Sequence, residues 1–166
     1  MNDLLVELFR HNTWANLKMI EFCRDLPPEQ RSGDFKIPGT YGAIRDTLHH
    51  MIGSQEGYLY TYGRSKEPPA EAFTTWDALV ERARKSSEAY EAWTSETPVG
   101  QVLDADFGPQ TWSAPTWLIL TQLLDHCTEH RTHVGTTMAH MGIQSPPLDL
   151  WVYGADVGSV TTRSKT

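Results

Sequence analysis

Two cysteines, Cys23 and Cys127, are all that this chain of 166 residues carries. That is too few for a disulfide framework and suits a reducing cytoplasm. Long apolar runs are missing too: no stretch approaches the roughly 18 to 20 residues that a membrane span needs. The opening MNDLLVELFRHNTW lacks the basic-then-apolar order of a signal peptide. No cluster of Lys and Arg is present. With Lys+Arg at 14 and Asp+Glu at 21, the formal net charge of −7 argues against nucleic acid and anionic membranes as partners. There is no Walker loop, no G-x-G-x-x-G, no G-x-S-x-G elbow and no C-x-x-C. What remains is a soluble, cytoplasmic protein, long enough for one domain with a sizeable core.

What the chain does have is helical periodicity. Leu4, Leu5, Leu8, Phe9, Trp14, Leu17, Ile20 and Leu26 recur mostly three and four apart. They predict a helix over 3–26 with one broad apolar face, stopped by Pro27-Pro28. A second helix, about 41–62, carries Ile44, Leu48, Met51, Ile52 and Leu59, with Thr40 as its expected cap. A third, about 75–95, opens at Thr74 or Thr75 and shows a charged face from Glu81 to Glu91 that reads as solvated. Residues 98–112, with Gly100, Gly108 and Pro109, predict an extended excursion or a small hairpin. The fourth helix, about 116–141, is the most apolar; Pro115 suits its first turn and Gly142 its C′ position. The six tryptophans read as core, and Asp104 and Asp106 as loop acids. The expected fold is all-α: an antiparallel four-helix bundle with a short extended excursion before the last helix. Residues 1–150 would form the bundle, and 151–166 a tail whose first part docks and whose last residues fray.

The chemistry concentrates in LLDHCTEHRTH, residues 123–133, which holds three of the seven histidines. On a helix, His130 lies about 40° to one side of His126 and His133 about 20° to the other. All three share a stripe with Ile119, Leu123 and Thr137 and face the bundle interior. Residues at i and i+4 can hold one metal ion. A lone interior histidine is more often a hydrogen-bonded core residue, so this spacing alone leaves a metal site at even odds. A site also needs a third ligand from elsewhere. His49-His50 on the second helix offer it, and helical period does not choose between them. Glu129 could be a ligand with His133, an orienting carboxylate, or a partner of Arg131. His11 and His140 read as surface or packing residues, and Cys127 as a buried structural thiol.

At this point the residues resemble the DinB/YfiT-like family, unrelated to the DNA polymerase that shares the name. Leu8-Phe9-Arg10-His11-Asn12-Thr13-Trp14-Ala15-Asn16 resembles its first-helix N-x-W-A-N pattern. The segment Tyr41 to Gly53 is similar to its second helix, where a histidine precedes two apolar residues. His126-Cys127-Thr128-Glu129-His130-Arg131-Thr132-His133 resembles its last-helix H-x-x-x-H-R-x-Q motif, with Gly142 eleven residues after Arg131. Pro146 to Tyr153 resembles the tail of one branch. The resemblance covers helices one, two and four and the tail. It implies His50, His126 and His130 as metal ligands, which demotes His49, Glu129 and His133. The family often has Gln where this chain has His133.

Two functions are then expected, from different classes. The first is a divalent-metal-dependent enzyme, a thiol-dependent S-transferase or a hydrolase acting on a small molecule. It would be similar to relatives in which the metal activates a low-molecular-weight thiol. Zinc is the first expectation for imidazole ligands; nickel, iron and manganese stay open, because a histidine-only set does not choose among them. The second is a non-catalytic, stress-associated helical bundle whose metal is structural. The resemblance implies a homodimer in either case.

Overall fold

The structure is a computed structural model that describes residues 3–31, 37–161 and 163. Its chain order is α1 (Asp3–Asp25), α2 (Pro28–Arg31), α3 (Ile44–Thr61), α4 (Trp76–Glu96), β1 (Val102–Phe107), β2 (Gln110–Pro115), α5 (Thr116–His140) and α6 (Leu150–Asp156). Four long helices share one core, α1 packing on α4 and α5 while α3 packs on α4 and α5. The periodic apolar residues explain this. Phe9, Met19 and Ile20 of α1 meet Leu48, Met51 and Ile52 of α3, Leu79, Val80 and Tyr90 of α4, and Leu120, Leu123 and Val134 of α5 in one buried cluster. Phe9 stacks on Tyr90 at 5.0 Å between ring centroids, which ties α1 to α4.

Several boundaries differ from the sequence expectation for local reasons. Pro28 does not only end α1; it opens the single turn α2, where a first-turn proline has no donor to lose. Thr40 does not cap α3. Its hydroxyl donates to the Ile37 carbonyl at 2.9 Å, and α3 starts behind Ala43 without a side-chain cap. Thr75 does cap α4, accepting from the Ala78 N–H at 3.1 Å. Pro115 stands one position outside α5, as its N-cap. Gly142 takes φ +73° just past α5, and Ile143 N–H closes back on the Met138 carbonyl at 2.9 Å.

The excursion before α5 is a hairpin, so the molecule is mostly helical with a small two-stranded sheet. β1 and β2 pair antiparallel from Val102 with Pro115 to Phe107 with Gln110. Only Gly108 and Pro109 separate them, and Gly108 has the positive φ, +60°, that a two-residue II′ turn needs first. Asp104 and Asp106 therefore sit on a strand, where they accept from Ser113 and Thr111 hydroxyls at 2.6 Å each.

The start of the tail docks on α1. Trp14 Nε1 and Lys18 Nζ both donate to Asp156, and Tyr153 packs edge-on against Trp14 and His11. The expectation of a fraying end falls on residues 162 and 164–166, outside the described residues. Among the tryptophans only Trp93 is fully buried. Trp112, Trp117 and Trp151 are exposed, which corrects their reading as core. Leu4 is likewise exposed.

Burial separates what holds the fold from what decorates it. Leu123 has no exposed area, so Leu123→Ala is expected to cost about 3 kcal/mol of unfolding free energy. Trp151→Ala, at a residue 79% exposed, is expected to cost less than about 0.5 kcal/mol. Urea denaturation of both variants checks the contrast, and similar losses would refute it.

Candidate metal centre

α3 and α5 pack side by side, and this contact brings histidines from both to one place. Imidazole nitrogens of His50, His126 and His130 all lie within 4.8 Å of one another. The ring of His130 stands near perpendicular to those of His126 and His50, with centroids 4.3 and 4.9 Å away. No fourth His, Cys, Asp or Glu joins this group among the described residues. Tyr41, from the turn before α3, stacks flat on His50 at 4.0 Å and meets His130 edge-on at 5.1 Å. Ser54, one turn after His50, lies 3.1 Å from His126 Nε2. His130 is the deepest of the three, and its Nδ1 is buried without a hydrogen-bond partner.

That orphan nitrogen is a test of fit. A buried polar atom with no partner is costly, and a metal ion would satisfy it. The donor set agrees. All three imidazoles are pushed toward the neutral form that coordinates a metal: burial lowers each pKa, and the other histidines add to this for His130 and His50. A tetrahedral site with bonds near 2.1 Å needs nitrogens about 3.4 Å apart, so small side-chain rotations close the gap. A three-histidine cluster of this kind could hold a metal ion, with room for other ligands in the cleft of about 650 Å³ that His50 and Ser54 line.

His49 takes a different part. Its Nδ1 lies 3.0 Å from Arg82 Nη1, and a guanidinium only donates, so His49 accepts there and stays neutral. Burial first, then Arg82, lowers its pKa; a hydrogen bond to the Glu71 backbone opposes them. Arg82 in turn grips Glu56 with Nε and Nη2 at 2.8 and 2.7 Å, and Glu56 also accepts from Ala70 N–H. This largely buried pair therefore pins residues 69–71, one wall of the cleft, to α3 and α4. Arg82 belongs to the charged run that reads as solvated, and nothing local in the sequence signals that Glu56, on another helix, meets it. Ser54 did leave a signal, since it falls on the same small, polar face of α3 as His50.

The remaining candidates stay outside the cluster. His133 packs its ring 5.4 Å from His130, and its Nε2 is 3.9 Å from Glu129. His11 Nε2 lies 2.8 Å from the Leu148 carbonyl, and exposed His140 bonds within its own helix to Thr136. Cys127 is fully buried, its thiol pushed up by burial, and it faces Gln55.

The neutral histidines set a pH window. His130 titrates near 6.5 in an unfolded chain, but burial and the neighbouring imidazoles bring it down to about 4 in the fold. Between those values the unfolded chain binds a proton that the folded chain refuses. Stability is therefore full above about 6.5 and falls as the pH drops toward 4. The urea midpoint of metal-free protein is expected to decline over this range, and His130→Gln to flatten part of the slope. An identical slope in the variant would place the titrating group elsewhere.

Comparison with known proteins gives the fold and the family. The fold is similar to the crystal structure of a DinB-like protein from Bacillus cereus ATCC 10987. The TM-score is 0.68 at 20% identity, over 88% of this chain and 96% of that one. No curated protein sequence matches. The model of the DinB family matches residues 1–156, and the chain belongs to that family.

Proposed function

We propose that this protein is a divalent-metal-dependent enzyme that uses His50, His126 and His130 as ligands. The observation that carries the reading is the convergence of three imidazoles pushed toward the neutral form, with no fourth ligand among the described residues and with His50 on the wall of an open cleft. A structural site is normally closed by four protein ligands, whereas a catalytic one keeps a position free. A divalent ion held there supplies Lewis acidity, which acidifies a thiol or water and polarises a carbonyl. Zinc is the first choice for three imidazoles. The chemistry best matched to such a site is S-transfer from a low-molecular-weight thiol, or hydrolysis, on a small molecule.

The protein's own residues have distinct parts in this reading. Tyr41 covers His50 and limits water on that side. Ser54 orients His126 through its hydroxyl. Arg45 lines the cleft with its guanidinium over Phe73 at 5.6 Å and paired with Asp46 at 3.0 Å, so the two present a polar rim to a substrate. His133 packs its ring beside His130 at 5.4 Å, with Glu129 3.9 Å from its Nε2, and walls the cluster on that side. The four long helices are read as an antiparallel bundle and the two free buried thiols as those of a cytoplasmic protein. Within the described residues no helix is long and apolar enough to cross a membrane. Self-association into a homodimer would use apolar side chains left in solvent, such as Trp117 and Leu118 at the start of α5.

Elemental mass spectrometry on untagged protein tests the proposal. About one divalent ion per chain is expected in the wild type and a clear loss in His126→Ala, since a two-histidine remnant binds far more weakly. No stoichiometric metal in the wild type, even after incubation with zinc or nickel, would overturn the reading.

A further inference from the structure

A second groove, larger than the cleft beside the histidines, lies elsewhere. A space of about 790 Å³ opens between α1 and α5 and ends against residues 145–150. Thr128, Gly135 and Ala139, which line it, lie roughly half a turn round α5 from His126. Apolar wall comes from Leu8, Leu124 and Leu148, and His11 fixes the last of these by its hydrogen bond to the Leu148 carbonyl.

One charged residue also lines this groove from within. Arg131 is only 7% exposed, and no carboxylate pairs with it among the described residues. Its Nη1 donates to the side-chain oxygens of Asn12 and Asn16, and its Nη2 to Thr128 Oγ1 at 3.0 Å. A guanidinium carries five N–H groups. Nε–H and one proton on Nη2 find no acceptor among the described residues. Asn12 is already engaged. Because Arg131 only donates, the Asn12 amide turns its oxygen to it, and its N–H side goes to the Cys127 thiol. Asp149, at the groove's end, spends Oδ1 on the backbone N–H groups of Trp151 and Val152. A buried cation with unused N–H groups thus borders an apolar groove, and burying such a charge without a counter-ion is costly.

We propose that this groove binds a small monocarboxylate bearing an alkyl chain. The carboxylate accepts from the unused N–H groups of Arg131, and the chain lies along Leu8, Leu124 and Leu148. Such a ligand neutralises the guanidinium and bridges α1, α5 and the segment that ends the groove.

Titration of decanoate, decanol and decyltrimethylammonium into the untagged full chain tests this, read by backbone amide chemical shifts. Decanoate is expected to saturate, with shifts confined to α1, α5 and residues 145–150. Decanol is expected to bind at least about 10-fold more weakly, having lost the charge-assisted hydrogen bonds, and the cation not at all. Arg131→Gln should weaken decanoate by a similar factor. Since that variant removes a buried hub, Ala139→Trp serves as the second. It fills the groove from an exposed position, so saturable binding should vanish while the circular dichroism spectrum stays unchanged. The proposal is overturned by absence of saturable decanoate binding, by equal affinity for decanol, or by binding that survives Ala139→Trp. A dimer that Ala139→Trp splits into monomers would overturn it too, because a second copy would then cover the groove.

Discussion

A charged guanidinium sits where four helices meet, and the rest of the arrangement depends on how its hydrogen bonds are met. Arg131 of α5 donates to Asn12 and Asn16 of α1. Asn16 passes the chain on, donating from its amide nitrogen to the Gln55 side-chain oxygen of α3. The Gln55 backbone carbonyl then accepts the hydroxyl of Tyr90 from α4 at 3.0 Å. Apolar packing alone tolerates sliding, because one leucine substitutes for another. A buried polar chain does not, since each lost partner leaves a desolvated group. Sliding α5 by one turn would strand Arg131 among aliphatic side chains. The network therefore fixes the relative register of the helices, at the cost of desolvating a charge.

That register makes the histidine cluster. Arg131 follows His130 in sequence, and Gln55 follows Ser54, one turn beyond His50. Holding Arg131 and Gln55 through a shared partner, Asn16, places His130 and His126 against His50 and Ser54. Burial then does the chemical work. It disfavours the charged imidazolium, and neighbouring imidazoles add to this at His50 and His130, while Glu129 and Asp125 oppose burial at His126 without reversing it, so the cluster presents neutral donors near neutral pH. The chain's net negative charge does not reverse this, as no carboxylate enters the cluster among the described residues.

The long helices were legible because their apolar spacing is a local property of sequence. The stripe that carries His126, His130 and His133 could be drawn from residue numbers alone. The choice between His49 and His50 could not. Both flank the apolar face of α3, and what separates them is Arg82, a residue 33 positions away that claims His49. Resemblance to known sequences pointed to His50, where periodicity was silent. The charged run of α4 misled for the same reason: Arg82 looked solvated until Glu56 was placed opposite it. The tryptophans misled through size, since large aromatic residues are usually core, and Trp112 and Trp151 stand in solvent. In each case the missing information was a contact between segments far apart in sequence.

α5 shows why such contacts matter for function. Its apolar richness suggested one buried face, yet it carries two surfaces of different chemistry. One holds the imidazoles against α3; the other borders the groove beside α1 with small residues and the flank of Arg131. Arg131 belongs to both, because its guanidinium reaches the groove while its backbone adjoins His130. Neutralising that guanidinium would relieve the least compensated charge in the core without touching an imidazole nitrogen. Its effect on the histidines would pass through helix register, the same constraint that assembled them. A single arginine of α5 therefore links two features of this fold, cluster and groove, that ordinary packing does not explain.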